Sequence, residues 1–81
     1  MLRPLTFPDI GTEAAPIRMA GWLVDSGENV AVGDRLVEVL SQGVVFEVGS
    51  PWNGQLKKIE RRPPAEIHVG DILAWIEAED D

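Results

Sequence analysis

Apolar residues in this chain come in short runs, broken at close intervals by glycine, proline and small polar residues. Six runs have the length of strands: Leu2–Phe7, Ile17–Val24, Arg35–Leu40, Val44–Val48, Gln55–Arg61 and Ile72–Ile76. They are rich in Val, Ile, Leu and Trp and are bounded by turn residues, which predicts an all-β chain. A helical reading has no room. Arg35–Leu40 is too short, and Val44-Val45-Phe46-Glu47-Val48 is β-branched and aromatic. The gaps carry turn chemistry. Asp25-Ser26-Gly27-Glu28-Asn29 is a polar loop, Gly33-Asp34 and Gly70-Asp71 each precede a strand, and Pro51-Trp52-Asn53-Gly54 reads as a turn with proline at its start. Gln42-Gly43, between two apolar runs, reads as the tip of a tight hairpin.

The pattern repeats. Shifting the chain by 37 residues lays Val32-Gly33-Asp34 on Val69-Gly70-Asp71, Val30 on Ile67, Leu36 on Leu73, Val39 on Ile76 and Trp22 on Ile59. One copy is too small to bury its own apolar face. Two copies facing each other could close a shared core, which suggests a flattened barrel or sandwich with quasi-twofold symmetry.

Composition narrows the function. With 81 residues the chain is one small domain or a fragment of a longer protein, and 44% hydrophobic residues supply a real core. No run approaches the 18 or so apolar residues of a membrane span, and the N-terminal residues lack the pattern of a secretory signal. The net charge is −7, which repels phosphate backbones and anionic lipid, so neither nucleic acid nor membrane is an expected partner. With no Cys and a single His, thiolate chemistry, disulfides and an imidazole-rich metal site are excluded. The lack of Cys fits a reducing, cytoplasmic location.

From Trp22 to Glu77 the residues resemble the lipoyl and biotinyl carrier domains, and most closely the lipoyl domains of 2-oxo acid dehydrogenase acyltransferase components. Phe7-Pro8-Asp9-Ile10-Gly11 looks like the opening of such a domain. Trp22-Leu23-Val24-Asp25-Ser26-Gly27-Glu28-Asn29-Val30 is similar to the family's Trp-Leu-Val-x-x-Gly-Asp-x-Val, and Val32-Gly33-Asp34-Arg35-Leu36-Val37-Glu38-Val39 follows in step. Glu47-Val48, Ser50-Pro51, Gly54 and Ile67-x-Val69-Gly70-Asp71-x-Leu73-Ala74-x-Ile76-Glu77 complete the match. The resemblance implies an all-β fold, a flattened barrel-sandwich hybrid of two facing antiparallel sheets with pseudo-twofold symmetry.

It also implies a cofactor lysine, and here the chain departs. The family's hairpin tip, of the type Glu-Thr-Asp-Lys-Ala, carries a lysine acylated with lipoate. The same positions read Leu40-Ser41-Gln42-Gly43-Val44. Gly43 stands at the lysine position, Leu40 at that of the acidic residue three places earlier, and Gln42 at that of the aspartate. Glycine cannot form an amide through a side chain it does not have, and the biotinyl signature Met-Lys-Met is also absent. The two lysines of the chain, Lys57 and Lys58, fall early in a predicted strand and not at the tip. No cofactor is therefore expected.

No catalytic residue stands out. His68 lies between Ile67 and Val69 and should point outward, with no nucleophile or carboxylate placed to work with it. Ser41 and Ser50 lack the flanks of an activated nucleophile and read as turn residues. Trp22 and Trp75 are assigned to the core. Trp52, in its turn at the barrel end opposite the hairpin, either anchors a partner or packs back over that end. Lys57, Lys58, Arg61 and Arg62 read as a solvated strand and loop, with Lys57 and Lys58, beside Trp52, the candidate contacts for a protein partner.

Residues 1–78 thus form one lipoyl/biotinyl-like domain, expected to be monomeric, and 79–81 an acidic tail or the start of a linker. The expected role is a non-catalytic binding or structural module. The alternative is a lipoyl-type domain of a dihydrolipoamide acyltransferase whose acyl carriage is done by other domains, with components of a 2-oxo acid dehydrogenase complex as partners. A cofactor-free barrel-sandwich domain of an adaptor or transporter subunit is a third option.

Overall fold

The computed structural model describes residues 1–11 and 15–79. Eight strands follow in order: β1 (Leu2–Thr6), β2 (Ile17–Trp22), β3 (Asn29–Val30), β4 (Arg35–Ser41), β5 (Val44–Gly49), β6 (Gly54–Ile59), β7 (Glu66–Ile67) and β8 (Ile72–Ala78). No helix occurs among the described residues. All six predicted runs are strands, with ends displaced by one or two residues. The two-residue strands β3 and β7 were not anticipated.

The strands form two four-stranded antiparallel sheets, ordered β1-β8-β6-β3 and β5-β4-β2-β7. Adding 37 to the bounds of β2, β3 and β4 gives those of β6, β7 and β8. The two sheet orders are therefore the same order under the repeat, with β1 standing where β5 stands. The irregularities repeat as well. Ala20 and Lys57 are each skipped in the ladders of β2 with β4 and β6 with β8, and Leu36 and Leu73 are each skipped in those of β4 with β5 and β1 with β8. Such bulges bend a strand, as a short sheet folding over a shared core requires.

The turns that enter β4 and β8 show why the repeat is so strict. Gly33 and Gly70 have φ of 89° and 91°, a region open to glycine at little cost. The aspartate after each accepts a backbone hydrogen bond three residues back: Ala31 N–H donates to Asp34 Oδ2, and His68 N–H to Asp71 Oδ2, both at 2.9 Å. Each turn also ties to the other half of its sheet system. Gly33 N–H donates to Ser50 O at 2.8 Å, and Gly70 N–H to Phe7 O at 2.9 Å. The Gly-Asp pairs thus fix both the turn and the strand beside it.

The core lies between the sheets. Leu36, Val37, Val39, Leu56, Leu73, Ala74 and Ile76 are fully buried, with Phe7, Met19 and Ile67 almost so. Trp22, Trp52 and Phe46 pack partly buried against this cluster. Trp22 thus joins the core as expected, its indole N–H donating to Arg61 O at 2.7 Å. Trp75 does not. With Leu73 in the bulge, alternation turns Ala74, Ile76 and Ala78 inward and Trp75 outward, opposite Pro4 and Lys58. The ring is half-buried, and its N–H donates to Glu60 Oε2 at 2.8 Å.

Candidate functional site

The β4–β5 hairpin forms the position at which the sequence resemblance places attachment chemistry. Ser41 pairs with Val44 across a two-residue loop, Gln42-Gly43. Their φ angles are 52° and 77°, positive at both positions, as a type I′ turn requires. This is the turn whose twist matches the flanking strands, so the hairpin stays regular to its apex. Gly43 therefore sits at the second corner, and a Cβ placed on it would meet nothing within 4 Å. The apex is open to solvent, and its second corner carries no side chain.

Around the apex the surface is apolar. Leu40, Val44 and Val45 are 42%, 51% and 55% exposed. From Val39 to Phe46 no residue is charged, in a chain where 26% are. Charge returns only at Glu38 and Glu47, which face each other across the ladder. Arg35 Nη1 lies 3.2 Å from Glu47 and relieves that opposition. Ser41, expected in the turn, instead ends β4 and faces inward. It is buried, and its hydroxyl finds no hydrogen-bond partner among the described residues. Its counterpart one repeat later is Ala78. Alternation from Val37 and Val39 would have predicted the inward direction.

The lysines lie elsewhere. Lys57 occupies the β6 bulge, and its carbonyl accepts a bond from Ser26 Oγ at 3.0 Å. Lys58 follows in the ladder opposite Trp75, its Nζ 3.7 Å from Glu60. Both are exposed side chains within a strand, neither at an apex. Arg61 is half-buried beside Trp22, and Arg62 is exposed in the following loop.

Trp52, left by its sequence either as a partner anchor or as a cover for the barrel end, keeps part of its surface exposed. It lies partly buried against the core, with the Arg3 guanidinium 5.9 Å from the ring centroid. Ser50, the other predicted turn serine, fixes this turn: its hydroxyl donates to Trp52 O at 2.6 Å and accepts from Trp52 N–H at 3.2 Å. His68 points outward, within 3.3 Å of Glu66 and 3.7 Å of Asp71. Among the described residues no group of His, Cys, Asp and Glu could hold a metal ion, and no helix is long and apolar enough to cross a membrane.

A family model described as "Biotin-requiring enzyme", that of the biotin/lipoyl attachment domains, matches residues 3–76. The chain belongs to this family. It is a lipoyl-type domain, similar to segments of much longer proteins. Over 74 residues, 91% of the chain, it is 34% identical to the dihydrolipoyllysine-residue acetyltransferase component of the pyruvate dehydrogenase complex of Mycobacterium bovis, of which it spans 13%. It is 30% identical over 69 residues, 85% of the chain, to the succinyltransferase component of the 2-oxoglutarate dehydrogenase complex of Rickettsia conorii, spanning 18% of it. It is 28% identical over 75 residues, 93% of the chain, to the lipoamide acyltransferase component of the branched-chain alpha-keto acid dehydrogenase complex of Pseudomonas putida, again spanning 18%. This lipoyl-type domain thus covers under a fifth of those relatives.

Lipoate or biotin would need an amine at the hairpin apex of the domain. The residues present do not fit that group: Gly43 holds the corner, and both lysines lie in β6.

Proposed function

We propose that this lipoyl-type domain is not acylated and serves as a non-catalytic binding or structural module. The observation that carries the reading is Gly43 at the exposed corner of a well-formed hairpin. The scaffold that would present an arm is intact, and the nucleophile to which the arm would be joined is missing. Amide formation with a carboxylic acid needs a primary amine, and a swinging arm works by the reach its attachment point gives it. Lys57 and Lys58 have the amine without that presentation. They form instead an exposed cationic strand that suits an acidic protein partner.

The relatives favour a specific setting. In a protein of their kind, this domain would accompany other, lipoylated domains that carry the acyl group, and its partners would be components of a 2-oxo acid dehydrogenase complex. The open reading frame around these 81 residues decides between settings: an acyltransferase catalytic domain downstream of Asp81 supports this one, and its absence supports a free-standing adaptor.

The missing amine is tested by gain of function. The triple variant Leu40→Glu, Gln42→Asp, Gly43→Lys restores charge and amine at the tip. A lysine at Gly43 inherits a positive φ costing about 1–2 kcal/mol, which the barrel core can bear. Co-expressed with a lipoate ligase, the folded variant is expected to gain one lipoyl group while the parent gains none. A folded variant that stays unmodified means this hairpin is not a substrate scaffold.

A further inference from the structure

The two ends of the barrel are closed differently. At one end the start of β6 lies beside the end of β8, with Gly54 opposite Ala78. There Trp52 packs against the core, and Val32 N–H donates to Asn53 Oδ1 at 2.9 Å, which ties the chain beside the ring to the strand entry. At the other end the start of β2 lies beside the hairpin, with Arg18 opposite Leu40. The 37-residue shift carries Trp52 to Ala15, Gly54 to Ile17, Val30 to Ile67, Ala31 to His68 and Val32 to Val69. Among the described residues, these counterparts, with Asp9 and Ile10, line a cavity of about 340 Å³. Where one half places an indole, the other places the methyl group of Ala15.

The lining suits an aromatic ring. Ile17 and Ile67 make a buried apolar floor, Ile10 and Ala15 are half-buried, and Asp9, His68 and Val69 form an exposed rim. The volume falls at the small end of the roughly 300–1,000 Å³ of small-molecule sites. The charge of the two ends also differs. The Arg3 guanidinium lies 5.9 Å from the centroid of the Trp52 ring. β1 stands where β5 stands, so Arg3, opposite Ile76, has as its counterpart Phe46, opposite Val39. No lysine or arginine is among the described residues that line the cavity. Asp9 is there instead, one carboxylate oxygen accepting Gly11 N–H at 2.9 Å, and Glu66 stands 3.3 Å from His68. A cation beside an aromatic ring is favourable, and an acidic rim attracts one. At this end the ligand must bring it.

We propose that the cavity at the hairpin end binds a small aromatic amine, an indole-sized ring bearing an alkylammonium group. The ring takes the place that Trp52 fills at the other end, and the ammonium faces Asp9. This inference is independent of whether Gly43 lacks a cofactor.

Titrating the isotope-labelled chain with tryptamine, followed by amide chemical shifts, tests it. Saturable shifts are expected at the cavity residues Ile10, Ala15, Ile17, Ile67 and Val69, with a dissociation constant of about 0.1–1 mM for a ligand of this size. Indole-3-acetate, the same ring with the opposite charge, should bind more weakly. Asp9→Asn keeps an acceptor for Gly11 N–H and removes the charge, so it should weaken tryptamine about threefold and leave neutral indole unchanged. Ala15→Trp supplies the ring from the chain itself and should abolish binding. Ala15→Leu, a smaller filling, should weaken it and serves if the tryptophan variant does not fold. Tryptamine that leaves the cavity residues unshifted, indole-3-acetate that binds as tightly, or parent-like tryptamine binding by Asp9→Asn or by a folded Ala15 variant overturns the proposal.

Discussion

The two halves of this barrel share most of their buried positions under the repeat and diverge at two symmetry-related places. β4 turns into β5 through Gln42-Gly43, whereas β8 and β1, which hold the equivalent positions, are the two ends of the described chain. There Ala78 N–H donates to Met1 O, and the Met1 ammonium donates back to Ala78 O, both at 2.9 Å. At one end a charged terminus meets Glu77 at 2.7 Å beside a proline-bearing edge. At the other an uncharged turn meets an open edge of valines. Repetition is enforced where the fold needs it, in the Gly-Asp turns, the bulges and the inward leucines. The β4–β5 end is under no such demand.

That contrast can be broken from the inside first. Leu36→Ala and Leu73→Ala remove equivalent, fully buried side chains at equivalent bulges, and each should cost about 2–5 kcal/mol in urea unfolding. Costs that differ severalfold would mean the two bulges are not energetic equivalents. Gly54→Ala should cost about 3 kcal/mol, because its Cβ would collide with the Glu77 carbonyl across the β6–β8 ladder, whereas the matching position, Ile17, holds a large side chain. Thermal denaturation would expose this built-in asymmetry between β2 and β6. Gly33→Ala and Gly70→Ala should each cost about 1–2 kcal/mol and nearly the same, since neither Cβ meets a neighbour and only the positive φ resists. Smallest, Ser41→Ala should raise stability by about 1 kcal/mol by removing a buried hydroxyl without a partner. A loss of stability there would reveal a hidden bond at the hairpin base.

Much of this was legible in the chain. The period-two apolar runs gave six strands, and the 37-residue repeat gave the pairing of halves, because Gly-Asp turns leave a mark that side-chain burial alone does not. What escaped had physical causes. β3 and β7 span two residues and have no period to read. Trp75 was assigned to the core on its hydrophobicity, but the bulge at Leu73 shifts the alternation by one and throws the indole outward onto Glu60. Ser41 looked like a turn residue because serine favours turns, yet its parity with Val37 and Val39 buries it. The hairpin apex was legible to the residue, since Gln42-Gly43 is one of few ways to close a two-residue turn. The open edge of β5 was not. A strand's place in a sheet is decided by pairing across the fold, which the run of residues in one strand does not show.

The most direct measurement is the intact mass of this chain purified from cells in which lipoate and biotin ligases are both active. The account predicts a single species at the mass of the unmodified polypeptide. A species heavier by one lipoyl or biotinyl group would contradict it, and fragmentation would then show which amine had been found.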